Sequence, residues 1–342
     1  MFFPRILLAF ALVAFVVPSR GFAVTARVFL LVGQSNMEGK AQLPLLRYQA
    51  SQPETADLFG PFVSESGEFV ERDDVWIRFL DRQGALKAGY GSPNRFGPEL
   101  GFGWALGDVL EEPVVLIKTA WGGKSLYRDF RPPSSGLPEE AVLNGLLERA
   151  RQRRPETSIE DIRASFGHFY RESVRTTKET LGSLADRFPE ANIDGYQIEG
   201  IVWFQGWNDM INDGYTAEYT DHMESFIRDL RRDLDAPQAP FVIGQLGVGG
   251  ANSEQPNLKR DRFKAAQAEA AWRFAPHEKV VWVATDVFWD QGAQKVFDKG
   301  WRDNYEEWEK VGSDYPFHYL GSAKTFLAIG RAFGQAMIQL ME

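Results

Sequence analysis

The chain has 342 residues, 44% of them hydrophobic and 25% charged, a composition that excludes a disordered or fibrous protein. A formal charge of −9 and a pI near 5.2 argue against a nucleic-acid binder, which needs a basic footprint. The absence of cysteine excludes disulfide frameworks, thiolate metal sites and a cysteine nucleophile, and any imidazole chemistry must use His168, His222, His277 or His318.

The chain opens on one positive charge and the twelve-residue apolar run Ile6–Val17, too short for a comfortable membrane span. Pro18 ends the run, and Gly21-Phe22-Ala23 supplies small residues at −3 and −1. This predicts an export signal over 1–23, cleaved after Ala23. Its removal takes away Arg5 and Arg20, leaving 36 basic against 47 acidic residues, a net charge of −11. An exported chain without cysteine suits a bacterial periplasm or exterior. No second long apolar run follows, so the mature protein is expected to make no stable membrane insertion.

Five short apolar runs then read as strands buried on both faces: Arg27–Val32, Pro113–Lys118, Ile198–Phe204, Pro240–Leu246 and Lys279–Thr285. Helical patterns separate or follow them, at Phe96–Leu110, Ser173–Phe188, Thr216–Leu234, Leu258–Phe274 and Leu320–Leu340. This alternation predicts an α/β fold: a three-layer α/β/α sandwich around a five-stranded parallel sheet. Ligands of such sheets bind at the carboxyl ends of the strands. The stretches at about 40–95 and 125–161 read as long irregular insertions on that side, within one domain over 24–342.

The first strand runs into Gly33-Gln34-Ser35-Asn36-Met37. A serine there sits where open α/β sheets do their chemistry, and equally suits a helix N-cap. Met37 in place of a second glycine separates the block from the G-x-S-x-G elbow. Near the end, Asp314-Tyr315-Pro316-Phe317-His318 places an acid shortly before an imidazole, where it can fix the tautomer. His222 reads as solvated in a polar helix, His277 lies at the wrong end of the sheet, and His168 reads as core or wall. After the second strand, Gly122 and Gly123 can present backbone N–H groups to an oxyanion. Gly123-Lys124-Ser125 is no phosphate loop, because Lys118 stands where the pattern needs glycine. After the third strand, Gln205-Gly206-Trp207-Asn208-Asp209 offers side-chain amides as further donors, or a polar turn whose Asn208 and Asp209 cap the next helix. No paired-histidine spacing favours a metal, and no cofactor is expected.

Together these blocks resemble the SGNH hydrolase superfamily, and within it the sialate O-acetylesterase and carbohydrate esterase family 6 branch. The likeness runs from Val28 to about Phe333. It implies Ser35 as nucleophile, His318 as base and Asp314 as its orienter, with Gly122 or Gly123 N–H and Gln205 as oxyanion donors. Asn208 is a further candidate donor, because the superfamily places an asparagine in that block. Two departures are visible. Trp207 replaces a glutamate common in this branch, and three residues rather than two separate Asp314 from His318, which makes Asp303 a fallback orienter. Trp121, Tyr127, Trp207 and Phe317 are candidates to stack on sugar. The implied activity is removal of O-acetyl groups from a glycan or sialic acid. A non-catalytic glycan binder and a lipase or thioesterase of the same superfamily are the alternatives.

Overall fold

The computed structural model describes residues 24–251 and 257–342; the expected export signal lies outside the described residues. Among the described residues, seven strands make one sheet: β1 (Val24–Gly33), β2 (Val75–Phe79), β3 (Arg82–Ala85), β4 (Val114–Ala120), β5 (Ile193–Phe204), β6 (Phe241–Gln245) and β7 (Val280–Ala284). Their order is β3-β2-β4-β1-β5-β6-β7. All neighbours run parallel except β2 and β3, an antiparallel hairpin at one edge.

The sheet thus exceeds the expected five strands by the two in that hairpin. Both lie in the Lys40–Arg95 stretch that reads as irregular. Val75-Trp76-Ile77-Arg78-Phe79 is apolar enough to pair, but it is short and sits behind Glu71-Arg72-Asp73-Asp74. The turn into β3 places Leu80 at φ 54°, a conformation usually signalled by Gly, Asn or Asp. The hairpin therefore lacks its ordinary sequence marker.

Six longer helices accompany the sheet: α1 (Pro98–Gly107), α2 (Glu140–Arg151), α3 (His168–Leu181), α4 (Asp213–Asp233), α5 (Leu258–Trp272) and α6 (Ala323–Met341). Helix α2 lies inside the other stretch that reads as irregular. It is followed by a turn of helix at Ile159–Ser165, opened by a reciprocal Ser158/Asp161 cap. Proline opens α1, where its missing N–H costs nothing. Asn212 caps α4 by accepting from Gly214 and Tyr215 N–H, and Arg231 and Arg232 face its negative end. Helices α1 and α6 pack on each other, with α6 also against β6 and β7; α4 and α5 pack together, with α5 against the same two strands. The α1–α6 crossing is close: a Cβ on Gly330 would stand 2.1 Å from the Pro98 carbonyl oxygen.

Covered on both faces, β4 is buried at every residue and β1 over its last six. A smaller apolar cluster, Tyr127, Leu143, Ile162 and Phe166, sits under the inserted helices. No helix among the described residues is long and apolar enough to cross a membrane. The carboxyl ends of β1, β4 and β5 lie side by side, with Gly33 in register with Ala120 and with Phe204. That register brings three turns distant in sequence to one place.

Candidate active site

Ser35 opens a single helical turn, Ser35–Glu38, at the end of β1. Gly33 makes that position reachable: a Cβ on it would stand 2.2 Å from the Phe204 carbonyl oxygen. Only a residue without a side chain lets β1 end this close to β5. The turn is tied down on three sides. Gln34 Oε1 accepts from Gly206 N–H at 3.1 Å, and Gln34 Nε2 donates to Asn208 Oδ1 at 3.2 Å. Asn36 Nδ2 donates to the Phe317 carbonyl at 3.2 Å. Beneath, the fully buried Lys118 donates to the carbonyls of Glu38 and Tyr90, each at 2.8 Å, and to Glu99 Oε2 at 2.7 Å. Burial pulls the Lys118 amine downward and Glu99 opposes that. Among the described residues, Ser35 Oγ makes no hydrogen bond within the protein.

A cavity of about 310 Å³ opens above this turn, lined among others by Ser35, Gly122, Gly123, Trp207, Asn208 and His318. His318 Nδ1 lies 3.1 Å from Asp314 Oδ1. Because a carboxylate only accepts, the Nδ1 proton faces Asp314, and Nε2 is the nitrogen left to take a proton. Asp314 also accepts from Tyr315 N–H at 2.7 Å and lies 3.7 Å from Arg95 Nη2. Burial pushes its carboxyl upward, but the His318 hydrogen bond, the Tyr315 amide and the Arg95 charge outweigh that and hold it below the usual carboxylate value.

The extra residue between acid and base is absorbed by backbone geometry. Tyr319, Leu320 and Gly321 follow one another at φ 52°, 59° and 58°. This left-handed run folds Leu320 O back onto the N–H groups of Ser313 and Asp314. The buried Tyr319 hydroxyl anchors it, accepting from Gly247 N–H at 2.7 Å and bonding Thr285 Oγ1 at 2.6 Å. Asp303 is exposed on a turn after Gly300 and makes no hydrogen bond to His318.

The glycine turn comes close to the serine: a Cβ on Gly122 would stand 3.7 Å from Ser35 Cβ. Gly123 adopts φ 72°, and neither glycine N–H has a hydrogen-bond partner among the described residues. Asn208 lines the same cavity. Its Oδ1 is held by Gln34, which leaves its Nδ2 protons free. Lys40 also lines the cavity, with its amine on Ser92 Oγ at 2.7 Å and Glu38 Oε2 at 3.2 Å.

Two expectations need correction. Gln205 does not present its amide to the cavity. It is buried, and its Nε2 donates to the Lys124 carbonyl at 3.0 Å and to Asp209 Oδ2. Both partners are pure acceptors, so the nitrogen must face them, and the free oxygen is no oxyanion donor. Tyr127 is buried in the smaller apolar cluster, stacked on Tyr215 at 4.0 Å, rather than at the mouth of the cavity. Trp121 packs on Phe169 and Phe130 beside the site. Trp207 and Phe317 line the cavity, their rings 5.6 Å apart. His222, read as solvated, is buried against Arg131 and Glu218; burial and the Arg131 charge push it down to about 4. His168 and His277 are exposed.

Sequence reasoning gave Gln34 no role and weighed Asp209 only as a helix cap. Asp209 is fully buried and accepts from Leu126 and Tyr127 N–H, each at 2.9 Å, and from Gln205. It joins the chain just beyond the glycine turn to the turn that carries Asn208. Burial pushes its carboxyl up to about 6 against the pull of those three donors. Among the described residues, no group of three or more His, Asp or Glu is arranged to hold a metal ion.

Comparison with known proteins identifies the family of the chain. The probable carbohydrate esterase At4g34215 of Arabidopsis thaliana is 26% identical over 83 residues, 24% of this chain and 28% of that protein, so the aligned part spans under a third of the relative. The X-ray structure of the Arabidopsis thaliana protein AT4G34215 matches with a TM-score of 0.52 and 16% identity, covering 92% of this chain and 98% of that one, which shows a shared fold. The crystal structure of a carbohydrate acetylesterase from Xanthomonas citri matches at a TM-score of 0.49 and 12% identity, over 91% of this chain and 55% of that one. The family model described as carbohydrate esterase, sialic acid-specific acetylesterase, matches residues 25–287, more than half of the chain. The chain therefore belongs to the sialic acid-specific acetylesterase family of carbohydrate esterases, a family of carboxylic ester hydrolases.

Proposed function

We propose that the protein is an exported serine esterase that removes O-acetyl groups from carbohydrate. One observation carries the reading: a single cavity collects Ser35, an imidazole whose far nitrogen is held by the half-buried Asp314 carboxylate, and three free N–H sources from Gly122, Gly123 and Asn208. Ser35 Oγ attacks the acetyl carbonyl carbon while His318 Nε2 takes its proton. The carbonyl oxygen becomes an oxyanion beside Asn208 Nδ2, the glycine amides and the Ser35 N–H, which in the first turn of a helix has no intrahelical acceptor. Collapse breaks the ester C–O bond, and His318 returns the proton to the departing sugar hydroxyl. Water then adds to the acetyl-enzyme with His318 again as base, releasing acetate and restoring Ser35. The charge on His318 during both steps is stabilised by Asp314.

This chemistry uses only the chain's own side chains and backbone amides. The apolar run Ile6–Val17 and the small residues before Val24 support export. The test is acetate release from acetylated xylan, O-acetylated sialic acid and acetylated simple sugars, with octanoyl esters as controls. Wild-type protein is expected to release acetate, to prefer acetyl over octanoyl, and to be labelled at Ser35 by a serine-directed phosphonate. Ser35→Ala is expected to abolish release with an unchanged melting temperature. Labelling at another serine, or activity surviving in Ser35→Ala, defeats the assignment.

A further inference from the structure

Behind the Asp314–His318 segment lies a second cavity, of about 460 Å³, that the proposed chemistry does not use. Its size is within the range of roughly 300–1,000 Å³ common to small-ligand sites. Trp301, Tyr305, Tyr315 and Tyr48 bring aromatic surface to it, and Arg95 and Gln42 bring polar groups. Tyr305 is 54% exposed, Tyr315 43% and Tyr48 36%, an unusual gathering of uncovered rings. The Arg95 guanidinium has one loose ion pair, to Asp314 at 3.7 Å, and no hydrogen bond among the described residues. Its Nε is buried without a partner, and the rest of the guanidinium is partly exposed in the cavity wall.

The two cavities share a partition. Phe317 lines the first and Tyr315 the second, and their rings are stacked at 5.5 Å with 6° between planes. Trp207 meets Phe317 on one side and Trp301 meets the edge of Tyr315 on the other. A chain of ring contacts, Trp207–Phe317–Tyr315–Trp301, therefore links the lining of the first cavity to that of the second. An occupant that suits this lining has apolar ring faces and a hydroxylated rim. The faces would lie on the Tyr and Trp rings, and the rim would meet the forked donors of Arg95 and the amide of Gln42.

We propose that this cavity is a sugar subsite, holding a pyranose unit of the same glycan whose acetyl group lies at Ser35. The inference rests on the acetylesterase reading, because that reading puts a glycan at the neighbouring cavity. It adds that the substrate is an oligosaccharide or longer chain rather than a free monosaccharide.

The test compares wild type with Tyr305→Ala and Trp301→Ala, neither of which belongs to the catalytic machinery. The probes are O-acetylated xylo-, cello- and chito-oligosaccharides of one to five units, O-acetylated sialyl-lactose, and p-nitrophenyl acetate. In wild type, kcat/KM is expected to rise with chain length for at least one series. Each substitution is expected to raise KM for the longer member roughly 3- to 10-fold, with kcat and the p-nitrophenyl acetate rate unchanged. No dependence on length in any series, or a length dependence that survives both substitutions, overturns the subsite. A parallel fall on p-nitrophenyl acetate in both variants, with normal melting temperatures, shows the rings acting on the catalytic loop and also overturns it. Failure of wild type to cleave any acetyl ester refutes the acetylesterase reading itself. Calorimetric titration with the deacetylated oligosaccharides then still reads the subsite, whose failure is the absence of any binding that Tyr305→Ala weakens.

Discussion

Asp209 holds together two turns that the proposed mechanism needs at the same point, and its substitution tests that dependence. Its carboxyl is fully buried and pushed up to about 6 from an ordinary 3.8. A raised acid pKa means that the fold tolerates the neutral form better than the charged one. Below 3.8 the folded and unfolded chains are both protonated and the cost is absent. As pH rises, the unfolded chain ionises first, and above about 6 the native state carries the full cost. At 1.36 kcal/mol per unit, the gap between 3.8 and about 6 amounts to about 3 kcal/mol, of which about 2 kcal/mol falls between pH 4.5 and 7. Asp209→Asn cannot ionise and lacks this dependence. Urea unfolding of both proteins across that range should show wild type gaining on the variant by about 2 kcal/mol as pH falls from 7 to 4.5. At pH 7, where the carboxylate accepts from three donors, the variant turns an N–H group toward some of them. The glycine turn and Asn208 then lose their common anchor, and kcat should fall by roughly 10²-fold, as a displacement of about 1 Å can cause. A stability difference that is flat with pH, or a variant with full kcat, would refute the reasoning.

Three further outcomes follow from the same geometry. Asn208→Ala should lower kcat by about 10²–10³ with little change in KM, the loss expected for one oxyanion donor, whereas Gln205→Ala should be seen first as a lower melting temperature. Gly33→Ala forces a methyl to within 2.2 Å of the Phe204 carbonyl and should cost about 1–3 kcal/mol in denaturant unfolding, with Ser35 displaced and activity reduced. Asp314→Asn should leave the loop folded but allow the wrong imidazole tautomer, with a fall of up to about 10⁴ in kcat. Because the Asp314 carboxyl lies below its usual value, its contribution to stability is fully present above the ordinary carboxylate value and lost as pH falls from there through the lower native one. The Asn variant should lack that acid-side loss, which paired pH titrations of unfolding will read.

What could be read from the sequence, and what could not, follows from how local each signal is. The strands β1, β4 and β5 each hold a short apolar run, and the residues immediately after them line or adjoin the candidate site. Ser35, Gly122 and Asn208 could therefore be singled out as candidates from position, with a helix cap or polar turn as the other reading of Ser35 and Asn208. The β2–β3 hairpin was hidden because Leu80 occupies a left-handed turn position without the residue that normally marks it. Gln205 and Asn208 were indistinguishable as amides along the chain. What separates them is the partner each meets in space: two acceptors claim the Gln205 nitrogen, while Gln34 claims the Asn208 oxygen and frees its nitrogen. Asp209 was read as a capping residue because its ligands, Leu126 and Tyr127, lie more than eighty positions away and offer only backbone N–H groups, which leave no trace in side-chain identity.

The Asp314–His318 interval shows the same limit from the opposite direction. Pro316 disfavours an ordinary helical turn between the two, so spacing alone left the acid in doubt. The contact at 3.1 Å is achieved by three consecutive left-handed residues beyond the histidine, two of them not glycine. Such a run costs free energy at each step and persists only where the surroundings dictate it. Here they do so through the Tyr319 hydroxyl, buried between Gly247 N–H and Thr285 Oγ1 at the ends of β6 and β7. The position of His318 is thus set by strands that contribute no residue to the proposed mechanism. Removing the hydroxyl in Tyr319→Phe leaves the buried Gly247 N–H unpaired, at a cost of about 1–3 kcal/mol, and relaxes the strained run. The imidazole then drifts from Asp314, so kcat should fall while KM for a small acetyl ester holds. Equal loss of both parameters, or none, would place the control of His318 elsewhere.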